Sequence, residues 1–186
     1  MSAESGDAMH SKPVHAIFNG RRLSGLLSGE GQVTVVLEAG LGGTIEDWAR
    51  VQPEVAKFAR VFSYDRAGLG QSEKAPTPRT CEDFTADLRG LLQAAGLKPP
   101  YILVAHSWSG LNARWHASRY PQEIAGMILV DAAHEDRYEH FEKVLPAERI
   151  QRMWDFVRDP SRNDEGIDRV ASMEQVRQSR GLFHFP

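Results

Sequence analysis

Cysteine is nearly missing from this sequence. The single Cys81 excludes an internal disulfide and a thiolate metal cluster. Long apolar runs are missing too, and none approaches membrane-spanning length. The first dozen residues are polar (Ser2, Glu4, Ser5, Asp7, His10, Ser11, Lys12) and lack a signal-peptide core, so the expected compartment is cytoplasmic. There is no basic excess: the net charge is −3 and the Lys and Arg residues are scattered, which argues against nucleic acid as a partner. No Gly-Lys-Ser/Thr phosphate loop occurs. Gly40-Leu41-Gly42-Gly43 lacks the third glycine and acidic partner of a dinucleotide fingerprint. Histidine and acidic spacings do not make a zinc helix. The expectation is therefore no cofactor, no metal and no membrane contact. Internal repeats and low-complexity tracts are missing as well.

What is present is an ordinary globular mixture, 41% hydrophobic and 25% charged, over 186 residues. Residues 1–13 read as a polar lead-in. Val14 to Phe18 and Arg21 to Leu27 flank Asn19-Gly20, a strong hairpin signal. Val33 to Leu37 reads as a strand buried on both faces, emptying into the glycine-rich loop Glu38 to Thr44. Trp48, Val51, Val55 and Phe58 recur at helical spacing. Arg60 to Tyr64 is the next strand. Thr80 and Asp83 have capping-box spacing before an apolar stripe of Phe84, Leu88, Leu91 and Leu92, with Gly96 as the stop. Then come a strand ending at Ala105, a helix from Leu111 to near Pro121, and the apolar strand Ile124 to Val130. Strands alternating with helices predict a mostly parallel sheet.

After Asp131 the pattern turns helical. Pro146 suits a first helical position, and Ile150, Met153, Trp154 and Val157 make one helix face. Asp159 to Gly166 is a polar loop. Ser172 and Gln175 have capping-box spacing, Gly181 suits a helix end, and Leu182 to Pro186 reads as the start of another strand.

The run Ala105-His106-Ser107-Trp108-Ser109-Gly110 is the richest in chemistry. A serine with small residues two positions to each side, between a strand and a helix, reads as a nucleophile elbow, whose sharp turn tolerates no bulky flanks. The alternative makes Ser107 a helix N-cap. As a nucleophile it needs exposure, a base and an oxyanion site. The backbone N–H of Trp108, at the helix start, suits one oxyanion donor, and the loop after the Val33–Leu37 strand should supply the other. His106 reads as a packing or hydrogen-bonding residue, His116 and His140 as helix-surface residues, and Trp108 and Trp115 as packing residues. His10, His15 and His184 carry no supporting motif.

Four segments in register resemble the α/β-hydrolase superfamily, on its serine-nucleophile, esterase-like side. Glu38 to Gly43 is similar to its oxyanion loop, with Ala39 where many members have histidine. Tyr64-Asp65-Arg66-Ala67-Gly68-Leu69-Gly70-Gln71-Ser72 is similar to its Tyr-Asp-Arg-x-Gly-x-Gly-x-Ser segment. His106 to Gly110 matches the elbow, with Ser109 where glycine is usual, and Ile128 to Asp131 resembles the following strand. The resemblance implies an α/β-hydrolase-type, mostly parallel sheet with helices on both faces. It divides the chain into a core over 14–132 and a partial helical cap over 133–186. It assigns the second oxyanion donor to the Leu41 N–H. It also implies acyl-enzyme hydrolysis of a small ester-like substrate. Haloalkane dehalogenases and epoxide hydrolases of the superfamily carry aspartate where this chain has Ser107, so those activities are not implied.

In this fold the nucleophile is followed in the chain by an acid and then a histidine. The resemblance puts both after later strands, and the residues after Ser107 hold one further complete strand. Asp131, at that strand's carboxyl end, is a candidate acid, since some members place theirs there; the alternative is a polar strand-end residue. His134 is a candidate base. The uniformly apolar Ile128-Leu129-Val130 is typical of an interior strand, and an unprotected edge there would favour self-association. The expectation is therefore a hydrolase truncated before its last strands. Two functional readings remain: a serine hydrolase whose acid and histidine lie elsewhere, or a non-catalytic binding or regulatory module that keeps the scaffold.

Overall fold

The computed structural model describes residues 11–159, 161 and 163–182. Six strands form one sheet: β1 (Lys12–Phe18), β2 (Arg21–Ser28), β3 (Thr34–Glu38), β4 (Arg60–Asp65), β5 (Tyr101–His106) and β6 (Ile124–Val130). Their spatial order is β1-β2-β4-β3-β5-β6. β1, β2 and β4 pair antiparallel in turn, while β4, β3, β5 and β6 run parallel. The β1–β2 hairpin turns at Asn19 and Gly20, with φ of 47° and 74°, the left-handed pair a two-residue turn of this kind requires. β1 begins at Lys12, two residues inside the expected lead-in.

The α-helices among the described residues are α1 (Gln52–Ala56), α2 (Cys81–Ala94), α3 (Ser109–Arg119), α4 (Arg137–Glu142), α5 (Ala147–Arg158) and α6 (Arg169–Gln178). Alternate strand residues feed two cores. Val36, Phe62, Leu103 and Ala105 meet Leu88, Leu91, Leu92 and Ala117 of α2 and α3 on one face. Val35, Leu37, Val61 and Val104 meet Trp48 and Ala56 on the other. Thr80 caps α2 reciprocally with Asp83, as its spacing predicts, and Gly96 follows the helix at φ 70°. A third cluster, with Phe84, Trp108, Leu111, Tyr138, Val157 and Met173, seats α4, α5 and α6 against the start of α3.

Four expectations are corrected. The Trp48–Phe58 spacing is not one helix but a 3-10 turn (Ile45–Trp48) followed by α1. Pro53 has no N–H to continue the first turn, and Phe58 stays 79% exposed. Pro146 stands just before α5, as its N-cap, rather than at the first helical position. Ser172 and Gln175 form no capping box: Asp168 caps α6 by accepting from the Ala171 N–H at 2.9 Å. Asp168 is held there by the bridge between Ile167 and Arg79, which leaves Ser172 buried inside the helix. His116 is not on the surface. It is 1% exposed, edge-on to Tyr120, with Nε2 at 3.2 Å from the Glu123 carboxylate that the turn at Pro121 folds back beneath it. The strand start expected at the carboxyl end lies outside the described residues beyond Leu182.

The connection from β3 leads to β4 on one side, and β5 then pairs on the other side of β3. Loops leaving neighbouring strands in opposite directions open a crevice at their carboxyl ends, the usual ligand position in such sheets. The β3 and β5 loops carry Leu41 and Ser107.

Candidate active site

β5 ends at His106, and Ser107 turns the chain into α3 with φ 52°. A left-handed serine costs about 1–3 kcal/mol and persists only where its surroundings over-determine it. Here they do. The Ser107 N–H donates to the Val130 carbonyl (3.1 Å), and the Ser107 carbonyl accepts from Ala133 N–H (2.8 Å) and Gly110 N–H (3.1 Å). The end of β6 thus fixes the turn from outside. Ser107 is half-buried, and among the described residues its Oγ has no hydrogen-bond partner.

The β3 loop lies directly against this turn. A Cβ built at Gly40 would stand 3.2 Å from Ser107 Cβ and 3.0 Å from His106 Nδ1, so any larger residue would push the turn back by a few tenths of an ångström. Gly43 N–H donates back to the Gly40 carbonyl (3.0 Å), and Gly42 adopts φ 71°. Among the described residues the N–H groups of Leu41 and Trp108 have no hydrogen-bond partner. Trp108 caps α3, where the helix dipole favours a developing negative charge.

The segment after β4 acts as a bracket. The Asp65 carboxylate accepts from Ile45 N–H and Gln71 N–H, both at 2.9 Å, and thereby ties two loops together. Ser72 Oγ donates to the Asp65 carbonyl at 2.6 Å. Arg66, 3% exposed, directs Nη1 to the Ala39 carbonyl (2.5 Å) and Ser109 Oγ (3.0 Å), and Nη2 to the Gly40 carbonyl (2.5 Å). Ser109 Oγ itself donates to the Ala39 carbonyl at 2.6 Å. Arg66 also pairs through Nε and Nη2 with Glu165, whose Oε1 accepts from Gly42 N–H at 2.8 Å. Burial works against the Arg66 charge, but Glu165 outweighs it and the guanidinium pKa is raised.

Neither Glu165 nor the role of Arg66 is visible in the sequence pattern. Glu165 sits in an unremarkable polar loop. The hydroxyl at position 109, where glycine is usual, is the one written sign that the loop is held from below.

Asp131 follows the end of β6 at φ 43° and is exposed. His134 is exposed as well. Its Nδ1 accepts from Asp136 N–H at 3.1 Å and stands beside the carboxylates of Glu135 and Asp136. Those carboxylates are occupied by arginines: Glu135 by Arg114 and Arg180, Asp136 by Arg177 and Arg180. The structure therefore brings Ser107, Gly40, Leu41 and Trp108 together and does not join His134 to Ser107. A cavity of about 450 Å³ lies away from the elbow, lined by Phe18, Arg89, Lys98, Tyr101 and Glu123, and Glu123 already pairs with Arg89 there.

A mixed sheet with a left-handed serine at the carboxyl end of a central strand and a glycine loop against it defines an α/β-hydrolase scaffold. The chain belongs to the alpha/beta hydrolase fold family, whose model matches residues 33–172. It is 37% identical over 108 residues to the uncharacterized protein YqjL of Bacillus subtilis (strain 168), covering 58% of this chain and 43% of that protein. It is 33% identical over 112 residues to an AB hydrolase superfamily protein of Gibberella zeae, covering 58% and 35%. Among solved structures, the epoxide hydrolase CorEH superposes with a TM-score of 0.62 at 26% identity, covering 66% of this chain and 43% of that one. The chain spans less than half the length of these relatives. No helix among the described residues is long and apolar enough to cross a membrane.

Proposed function

We propose that this chain carries the nucleophile and oxyanion half of a serine hydrolase that cleaves a small ester or related acyl substrate through an acyl-enzyme. One observation supports the reading above others: among the described residues Ser107 Oγ, on a strained and externally fixed turn, has no hydrogen-bond partner, and neither do two N–H groups on the elements that flank it. A hydroxyl spent on capping would be bonded to the helix it caps. In the proposed reaction Ser107 Oγ attacks the substrate carbonyl and gives up its proton to a base. The N–H groups of Leu41 and Trp108 hold the resulting oxyanion. The alcohol leaves with a proton, and water then releases the acid from Ser107.

The reading requires a histidine base. The Nδ1 of His134 is engaged by Asp136 N–H, so His134 and Asp131 would serve as base and acid only after that loop rearranges. The likeness to an epoxide hydrolase raises a second chemistry, but in this superfamily it uses a carboxylate nucleophile, and position 107 carries a hydroxyl.

A fluorophosphonate probe on the folded, full-length protein tests the reading. Stoichiometric labelling that disappears in Ser107→Ala is the expected result. An unlabelled folded protein would leave the binding-module reading in its place.

A further inference from the structure

Arg66 has five N–H donors, and all five are assigned: one from Nε and one from Nη2 to Glu165, two from Nη1 to the Ala39 carbonyl and Ser109 Oγ, and one from Nη2 to the Gly40 carbonyl. Both partners of the ion pair are almost fully buried, with side chains 2% and 0% exposed. A buried ion pair is a poor device for stability alone, because well-packed apolar residues do as well or better. What this pair does beyond stability is fix peptide planes.

In a trans peptide the carbonyl and the following N–H point in opposite directions. Holding the Gly40 carbonyl against the Arg66 guanidinium therefore turns the Leu41 N–H away from Arg66. It does so on the loop whose Gly40 lies against Ser107. Glu165 adds a second hold one residue on, through Gly42 N–H. The turn bond from Gly43 N–H to the Gly40 carbonyl lies within the loop itself, and with glycine at 40, 42 and 43 that turn can swing as a unit, so Arg66 and Glu165 are what anchor it to the rest of the fold.

We propose that Arg66 and Glu165 are positioning residues: together they hold the Gly40–Leu41 peptide in the orientation that offers the Leu41 N–H to an oxyanion on Ser107. This rests on the serine-hydrolase reading. Glu165 belongs to the segment between α5 and α6, so the competence of the β3 loop depends on that segment being seated. Arg66→Lys cannot substitute, because one ammonium cannot reproduce the planar fork.

The test compares wild type, Glu165→Ala and Glu165→Gln in the full-length protein. It uses p-nitrophenyl ester kinetics, fluorophosphonate labelling, amide hydrogen exchange over residues 38–44 and melting temperature. Removing an oxyanion donor outright costs roughly 10²–10³ in kcat, so misaiming one should cost roughly 10–100-fold. The expected result for Glu165→Ala is that loss in kcat, with KM nearly unchanged and faster exchange at residues 40–43. Glu165→Gln keeps one acceptor oxygen, for Gly42 N–H and one Arg66 N–H, but sets an amide NH2 against the other Arg66 donor and removes the countercharge, so it should recover part of the rate. A Glu165→Ala protein with wild-type kcat overturns the proposal, as does a loss that Glu165→Gln fails to relieve. A wild type that neither labels nor turns over overturns the hydrolase reading and the proposal together. Normal labelling with an unaffected Glu165→Ala overturns the proposal alone.

Discussion

Gly110 and Ala132 stand so close that a Cβ built on the glycine would lie 2.5 Å from the alanine's own Cβ. Gly110 is in the first turn of α3 and Ala132 follows β6, so this contact sets how tightly the elbow packs on the neighbouring strand end. Gly110→Ala gains up to about 1 kcal/mol of helix propensity. Overpacking of this kind costs about 1–3 kcal/mol, and the shift required sits on backbone, so the loss wins. Urea unfolding should show a lower midpoint for Gly110→Ala. Gly126→Ala, in β6 where nothing lies within 4 Å, should unfold close to wild type. Equal midpoints for the two would show that the contact relaxes freely.

Glu38 gives a pH dependence with a definite sign. Burial pushes its carboxyl up to about 7, only partly offset by Arg66 and by the hydrogen bond from the Tyr64 hydroxyl (3.1 Å). Below pH 4.5 the group is protonated whether the chain is folded or not. Between pH 4.5 and about 7 the unfolded chain releases the proton while the folded chain keeps it, so stability falls as pH rises through that window. Glu38→Gln should flatten the decline and be more stable than wild type at pH 8. Chemical denaturation at pH 5 and pH 8 measures both, and an unchanged slope in the variant would remove Glu38 as its source.

Cys81 should report unfolding. It is fully buried at the start of α2, with Sγ 3.9 Å from the Ser172 carbonyl, and burial pushes its thiol up to about 12. Native protein at pH 8 should react with a disulfide reagent at least about 10³-fold more slowly than protein in denaturant, because only an opened, ionised thiol attacks. Rapid stoichiometric modification of the native protein would contradict this.

Among the described residues β6 is one of the two edge strands of the sheet, with Ile128, Leu129 and Val130 exposed at 54%, 48% and 40%. An apolar edge with no charge or proline pairs with another edge, and an antiparallel partner β6 matches its own hydrogen-bonding groups. This chain on its own should self-associate as concentration rises, and Leu129→Lys should shift it toward monomer. Light scattering across a concentration series measures this; a monodisperse wild-type chain would refute it.

Much of the fold is legible in the sequence because its signals are local. Asn19-Gly20 writes its own turn, Thr80 and Asp83 their own cap, and the apolar run 124–130 coincides with β6. The Ser172–Gln175 spacing misleads because Asp168, pinned by Ile167 against Arg79, starts α6 earlier. His116 misleads because a short 3-10 turn returns Glu123 beneath it. The elbow and the glycine loop are legible because steric demands leave a residue pattern. The clamp beneath them is not, since an arginine and a glutamate 99 residues apart meet only through the finished fold.

That separation has a consequence for the order of assembly. Ser107 takes its bent shape from Val130 and Ala133, one strand crossover away, whereas the β3 loop is held by a residue 123 positions beyond Gly42. Closing so long a stretch is slow compared with local structure. A refolding molecule is therefore expected to acquire its serine turn first, with the loop above it still slack. In refolding, recovery of the ordered 39–43 loop should lag behind recovery of helix and sheet.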